Sequence, residues 1–349
     1  MSAVILAVAG EASGDALLAP VVADLFGRGH RVVGIGGPKS VAAGLIPLAP
    51  YEGLAAHGLL EAAHTVPAVL RAAWRLRAAL PRIDAALLVD FPELNSRLLR
   101  WCTAPVAWLA PPQAWAWRAH RAEHLRRAAW VGCLFEFSAR WYRERGVAAE
   151  MVGHPLAYQA ALPPADRADV ALLPGSRAGT VARLLPIFLE GARRFSRALP
   201  ETTFHLGCAP GLPAPPPVTG LKLQIHAGAT SALAAASTCW AGAGTATLHA
   251  ALAGRPVLTG ARLHPLTEGL ARRLVQVPSV GLPNLVLDRR AFPELVFDAC
   301  NPEALSRVGQ RLTHRRGSLA PALAEVRRHC MPDGFAGRVA DRVERLIAR

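Results

Sequence analysis

Short apolar runs recur along this chain, each ending in glycine, proline or acidic residues and each followed by a segment with helical spacing. Val4 to Val8 is the first; it closes in Ala9-Gly10-Glu11-Ala12-Ser13-Gly14-Asp15 and leads into the helical pattern Ala16 to Phe26. His30 to Ile35 is a second strand, closed by Gly36-Gly37-Pro38, and Ile83 to Val89 is a third that ends at Asp90-Phe91-Pro92-Glu93. Between them Thr65 to Leu80 is predicted helical, with Arg71, Arg75 and Arg77 at polar positions. Pro105 to Leu109 and Trp130 to Phe135 add two more strands around the aromatic loop Pro111 to Arg118. This alternation predicts a doubly wound parallel sheet.

The pattern then restarts. After Gly153-His154-Pro155, the stretch Ala161 to Asp166 has the composition of an interdomain linker. Val170 to Leu173 is a strand, followed by the loop Pro174-Gly175-Ser176-Arg177 and the helical run Val181 to Ala198. Thr203 to Gly207, Leu221 to His226, Thr238 to Ala241 and Pro256 to Thr259 continue as short strands, and the proline-rich 210–217 is expected to be an exposed loop. The fold expected is α/β: two Rossmann-like domains over 1–160 and 168–330, followed by a C-terminal helix over 331–349. A length of 349 residues agrees, being more than one hydrophobic core usually organises.

Composition narrows the partners. Hydrophobic residues make up 52% of the chain, enough to build strands buried on both faces. The net charge of +14 rests almost wholly on arginine, since Lys39 and Lys222 are the only lysines. Arginine suits bidentate contact with phosphate, although solvated arginine faces account for part of the excess. The C-terminal arginines Arg327, Arg328, Arg338, Arg342, Arg345 and Arg349 read first as an exposed helix face and second as a membrane-surface patch. No nucleic-acid-binding motif accompanies the charge, so nucleic acid is not an expected partner. Six cysteines without C-x-x-C spacing indicate neither a zinc site nor a disulfide framework, and the N-terminus lacks a signal-peptide pattern. A cytoplasmic protein is expected. The uncharged segment His226 to Gly254 is too rich in Ala, Gly, Ser and Thr to drive membrane insertion.

Ligands of open α/β sheets sit at the carboxyl ends of the strands, which directs attention to four loops. Leu173 to Arg177 precedes a helix, where unpaired N–H groups and the arginine suit a diphosphate; an ordinary Pro-Gly turn with a serine cap explains it equally simply. Gly242-Ala243-Gly244-Thr245 is either a second phosphate-approaching turn or tight strand-to-helix packing. Asp90, at the end of an apolar strand, is a candidate general base, whereas Glu93 fits better as an acid at the start of the next helix. Trp115-Ala116-Trp117-Arg118 is either a platform for a sugar or acyl group or half-buried packing.

Taken in order, these pieces resemble the lipid A disaccharide synthase family over nearly the whole chain. The residues that carry the resemblance are Ala9 to Asp15, Gly36-Gly37-Pro38, Gly58-Leu59-Leu60-Glu61 and above all Pro112 to Arg118. Val152 to Leu156, Leu173 to Arg177, Gly244-Thr245-Ala246 and Leu282-Pro283-Asn284-Leu285 extend it. The resemblance implies a GT-B glycosyltransferase fold with an interdomain cleft, working without metal or cofactor. It implies a UDP-sugar donor on the C-terminal domain and an acylated glucosamine phosphate acceptor on the N-terminal one, at the inner membrane surface. Asp90 is then expected as the base. Glu11, Ser13, Asp15, Trp115, Trp117 and Arg118 would line the acceptor side, and Ser176, Arg177, Gly244, Thr245, His249, Asn284 and Glu294 would hold the nucleotide. Several family positions differ: His249 replaces a glutamate, Phe297 a glutamine and Thr180 an acid, and a family Pro-Phe-Glu reads Glu136-Phe137-Ser138. These departures leave open a diverged enzyme with another nucleotide sugar, or a non-catalytic relative that binds nucleotide or lipid.

Overall fold

The computed structural model describes residues 2–52, 54, 59–116, 119–159, 161–163, 165, 167–209, 218–262, 278–331 and 334–348, with the backbone alone at 59–66 and 121. The proline-rich loop 210–217 lies outside the described residues, as do Trp117 and Arg118. The chain forms two compact units, Met1–Pro155 with Met331–Arg349, and Leu156–Cys330.

The first unit is built on strands β1 (Val4–Ala9), β2 (Arg31–Ile35), β3 (Ile46–Pro47), β4 (Ala85–Val89), β5 (Val106–Leu109), β6 (Trp130–Cys133) and β7 (Ala149–Met151). They pair in parallel in the order β3-β2-β1-β4-β5-β6-β7. Helices α1 (Ala12–Gly27), α2 (Pro38–Ala42), α3 (Leu59–Arg77), α4 (Pro92–Trp101), α5 (Arg121–Leu125) and α6 (Glu136–Arg143) connect them. Both faces of the sheet are covered, which is why its strands read as unbroken apolar runs. Ile5, Ala7 and Ala9 point into one layer with Leu18, Val21, Val22 and Leu25 of α1. Leu6 and Val8 point into the other, with Ala73 and Leu76 of α3, Leu94 and Leu98 of α4 and Tyr142 of α6. That alternation is the period of two inherent in a pleated strand.

The second unit repeats the plan. Strands β8 (Val170–Leu173), β9 (Phe204–Cys208), β10 (Leu223–Ala227), β11 (Thr238–Gly242), β12 (Val257–Ala261) and β13 (Glu294–Val296) form a parallel sheet in the order β10-β9-β8-β11-β12-β13. Its helices are α7 (Ala178–Ala198), α8 (Ala229–Ala234), α9 (Thr245–Leu252), α10 (Leu282–Leu287), α11 (Pro302–His314) and α12 (Ala320–Cys330). Trp240 of β11 centres one core layer, edge-on to Phe188, Phe195 and Phe204 at ring distances of 6.3, 5.8 and 5.8 Å. The uncharged segment before Gly254 is β10, α8, β11 and α9. No helix among the described residues is long and apolar enough to cross a membrane.

The last helix, α13 (Phe335–Ile347), returns to the first unit. Phe335, Val339, Val343 and Leu346 recur at helical spacing and share the apolar layer of α1. At the rim, Arg28 pairs with Asp341 at 2.6 Å and Glu344 at 2.7 Å, and Arg338 and Arg342 reach Glu150 at 3.3 and 2.5 Å. Arg327 of α12 donates to the carbonyls of Ala157, Gln159 and Leu252. Much of the arginine-rich C-terminus is thus engaged in internal pairing, with Arg328 and Arg345 exposed. Val343→Asp should destabilise the chain by about 3 kcal/mol or more, because its carboxylate would enter an apolar layer unpaired. Urea unfolding measures this; an unchanged midpoint would show that α13 adds nothing to the first unit.

Candidate active site

In the first sheet the strand order reverses between β1 and β4, where Ala9 lies opposite Val89. The chain leaves these neighbours in opposite directions, and the divergence opens a crevice at their carboxyl ends. Glu11 and Ser13 stand there at the start of α1, half-buried and exposed respectively, and half-buried Asp90 follows β4. Asp90 has φ 48° and Phe91 φ 45°, both left-handed. Such a conformation costs on the order of 1–3 kcal/mol per residue and persists only where the surroundings impose it. Phe91's ring packs over Gly10, where any Cβ would lie 2.3 Å from the ring, and the N–H of Asp90 donates to the Leu109 carbonyl at 3.0 Å. The fully buried Asn95 of α4 donates its side-chain amide to the carbonyls of Val89 and Asp90 at 3.1 and 2.7 Å.

Asp15 has a different place from Glu11 and Ser13. Its carboxylate is buried and accepts the N–H groups of Lys39 and Ser40 at 3.1 and 3.0 Å and the Ser40 hydroxyl at 2.5 Å. These bonds tie α1 to α2. The nearby Tyr51 hydroxyl is pushed above its ordinary pKa by burial and then by the charges of Asp15, Glu11 and Glu52. Trp115, in the loop that follows β5, meets Phe137 edge-on at 4.9 Å. Phe137 stacks on Phe135 at 5.4 Å, and Phe135 on His154 at 5.6 Å, so an aromatic row runs along the carboxyl ends of β5, β6 and β7. Tyr142 of α6 anchors the loop by donating to the Pro112 carbonyl at 2.5 Å.

The second sheet reverses between β8 and β11, with Leu173 opposite Ala241. Ser176 and Arg177 follow β8 and are exposed at the start of α7; Gly244 and Thr245 follow β11 and are exposed at the start of α9. These loops are brought together because Gly242 lacks a side chain: a Cβ there would lie 2.6 Å from the Pro174 carbonyl oxygen. Gly244, at φ 134°, has open space where a Cβ would stand, so the backbone at this helix start is open to close approach. His249 lies one turn into α9, and burial lowers its pKa below the ordinary 6.5, which keeps the imidazole neutral at pH 7.

Asn284 and Glu294 form a network of their own. Asn284 donates to the Phe292 carbonyl and to Glu294 Oε1, both at 2.8 Å, and accepts the N–H groups of Ala291 and Phe292 at 2.9 Å. That occupies both donors and both acceptor positions of the amide, which therefore acts as scaffold. Glu294 also accepts the N–H groups of Val280 and Gly281 at 3.0 Å. Thr247, absent from the expected residues, links this network to α9: its hydroxyl donates to the Gly244 carbonyl at 2.7 Å and accepts from Leu282 N–H at 3.2 Å. Thr247 and Asn95 could be found in the sequence only by their nearness to glycine and aspartate motifs, and nothing in the sequence pairs Phe137 with Trp115. Among the described residues no cluster of three His, Cys, Asp or Glu side chains could hold a metal.

Two parallel sheets, each with its order reversed beneath glycine-rich or acidic loops, make this a GT-B glycosyltransferase fold. The calicheamicin glycosyltransferase CalG4 superposes with a TM-score of 0.62 at 17% identity, over 100% of this chain and 99% of its own. The family model for lipid-A-disaccharide synthetase matches residues 5–316. A lipid-A-disaccharide synthase of Anaeromyxobacter dehalogenans (strain 2CP-C) is 36% identical over 368 residues, covering 97% of this chain and 96% of its own. One of Pseudomonas putida (strain W619) is 37% identical over 354 residues, covering 92% and 89%. The chain belongs to the lipid-A-disaccharide synthetase family.

Asn284→Leu should strand the N–H groups of Ala291 and Phe292, at about 1–3 kcal/mol for each buried group left unmet. A urea midpoint equal to that of the unaltered chain would show that this network is not what holds α10.

Proposed function

We propose that this chain transfers 2,3-diacylglucosamine from UDP to 2,3-diacylglucosamine 1-phosphate, forming a β(1→6) disaccharide. The supporting observation is the coincidence, in each sheet separately, of the reversal of strand order with the loops that carry suitable chemistry. Asp90 is the base: it takes the proton of the acceptor 6-hydroxyl as that oxygen attacks the anomeric carbon. The bond from that carbon to the UDP oxygen breaks on the opposite face, so the configuration inverts. Charge then grows on the departing diphosphate. Backbone N–H groups at the starts of α7 and α9, with Ser176, Thr245 and the Arg177 guanidinium, supply the donors that stabilise it. His249 accepts one hydrogen bond from the nucleotide where a carboxylate would accept two, and Glu294 holds the adjoining loop in place. Glu11, Ser13 and Trp115 contact the acceptor sugar.

Asp90→Asn should lower turnover about 10²- to 10⁴-fold, the usual worth of a positioned base. UDP should still raise the melting temperature of that variant, because ligand that prefers the folded state stabilises it wherever the diphosphate loops are intact. Disaccharide formation from the two acylated substrates is the assay, and near-normal turnover would remove Asp90 from this role.

Both substrates carry acyl chains, so the enzyme works at a lipid surface. Helix α3 supports peripheral attachment there. Trp74 is 63% exposed and Leu70 40% exposed on one face, with Arg71, Arg75 and Arg77 also exposed. The Arg77 guanidinium lies 5.3 Å from the Trp74 ring and 5.4 Å from Trp101. Indole and leucine among arginines is the chemistry of a helix lying on an anionic bilayer. Binding to vesicles containing phosphatidylglycerol should weaken about ten-fold or more when Leu70 and Trp74 are both changed to serine. Unchanged sedimentation with such vesicles would place the attachment elsewhere.

A further inference from the structure

Two consecutive non-glycine residues in the left-handed region, Asp90 and Phe91, require restraint from their surroundings. Gly10 leaves room for the Phe91 ring, and the Leu109 carbonyl receives the N–H of Asp90. Asn95 does something more specific. The carbonyls of Val89 and Asp90 belong to the peptide planes on either side of the Asp90 Cα, and one side-chain amide bonds both. Because those planes are rigid, joining them restricts φ and ψ of Asp90 and with them the direction in which its side chain leaves the backbone.

Stability alone does not explain an asparagine at this position. Asn95 is 0% exposed, and its Oδ1 has no hydrogen-bond partner among the described residues. Burying an amide oxygen unmet is unfavourable, and neighbours on the same helix, Leu94, Leu98 and Leu99, are core residues. Leucine shares asparagine's branched heavy-atom skeleton, with bulkier methyl ends, and would leave no such group. The site therefore carries a local penalty, offset by the bonds that hold the Asp90 turn.

We infer that Asn95 is a positioning residue for the transfer reaction, fixing the aim of Asp90 at the acceptor hydroxyl without touching either substrate. This rests on the reading of Asp90 as the base. An error of about 1 Å in placing a catalytic group is enough to cost on the order of 100-fold in rate.

The test compares Asn95→Leu, Asp90→Asn and the double variant by steady-state kinetics, with activity expressed per folded molecule. Asn95→Leu is expected to lower kcat about 10- to 100-fold while KM for both substrates stays within about two-fold, since binding is not what it disturbs. In the Asp90→Asn background the same change is expected to cause no further fall, as residues acting through one group are not additive. Wild-type kcat in folded Asn95→Leu, with Asp90→Asn inactive, would overturn the positioning role and leave the base in place. An equal loss with and without the Asp90 carboxylate would also overturn it. Near-normal turnover in Asp90→Asn would remove the base and this inference together. Should Asn95→Leu fail to fold, Asn95→Ser, too short to reach both carbonyls, gives the same comparison.

Discussion

The constraint on which the rest depends is that every internal strand of both sheets is parallel and buried on its two faces. A parallel neighbour cannot be reached by a hairpin, so the chain must cross back through a helix laid on one face or the other. Covering both faces obliges the crossovers to change direction partway through each sheet, between β1 and β4 and again between β8 and β11. The crevice at each reversal follows from that burial requirement. Apolar packing therefore decides where polar chemistry stands.

At those reversals polar groups divide into those engaged by the fold and those presented to solvent. Asp15, Asn284 and Glu294 are engaged, each closing several backbone N–H or carbonyl groups that would otherwise be left unmet. Ser13, Ser176, Arg177, Gly244 and Thr245 are exposed at helix starts. The first set ties down the helices and loops beside the second. The left-handed pair Asp90 and Phe91 shows the same relation most sharply, because the backbone there adopts a disfavoured conformation for which Gly10 leaves room and which Asn95 bonds on both sides.

Much of this was legible in advance. Apolar runs marked β1, β2, β4, β5, β6, β8, β9, β11 and β12, since burial on both faces leaves few polar positions in a strand, and the exposed edge strand β10 was marked by apolar Leu221, Leu223 and Ile225. The short edge strands β3, β7 and β13 were not visible: Ile46–Pro47 and Glu294–Val296 have neither the length nor the apolar continuity to stand out, and both form by pairing with a strand already in place. The aromatic motif at Trp115 was apparent, but its pairing with Phe137 was not, because Trp115 stands in the loop after β5 and Phe137 at the start of α6, after β6.

The amino-acid sequence by itself determined the two α/β units, the loops at the strand ends and the family. These follow from local periodicity, turn residues and motif order, all of which act over short stretches of chain. The tertiary structure alone decided which side chains are already consumed: the saturated amide of Asn284, the helix-anchoring carboxylate of Asp15, the α13 arginines paired with Glu150. It also decided that the last helix packs on the first unit, with Val343 beside residues that begin the chain. The reason is physical: a hydrogen bond or an apolar contact between distant segments depends on where folding places them, and residue type specifies the capacity of a group without naming its partner.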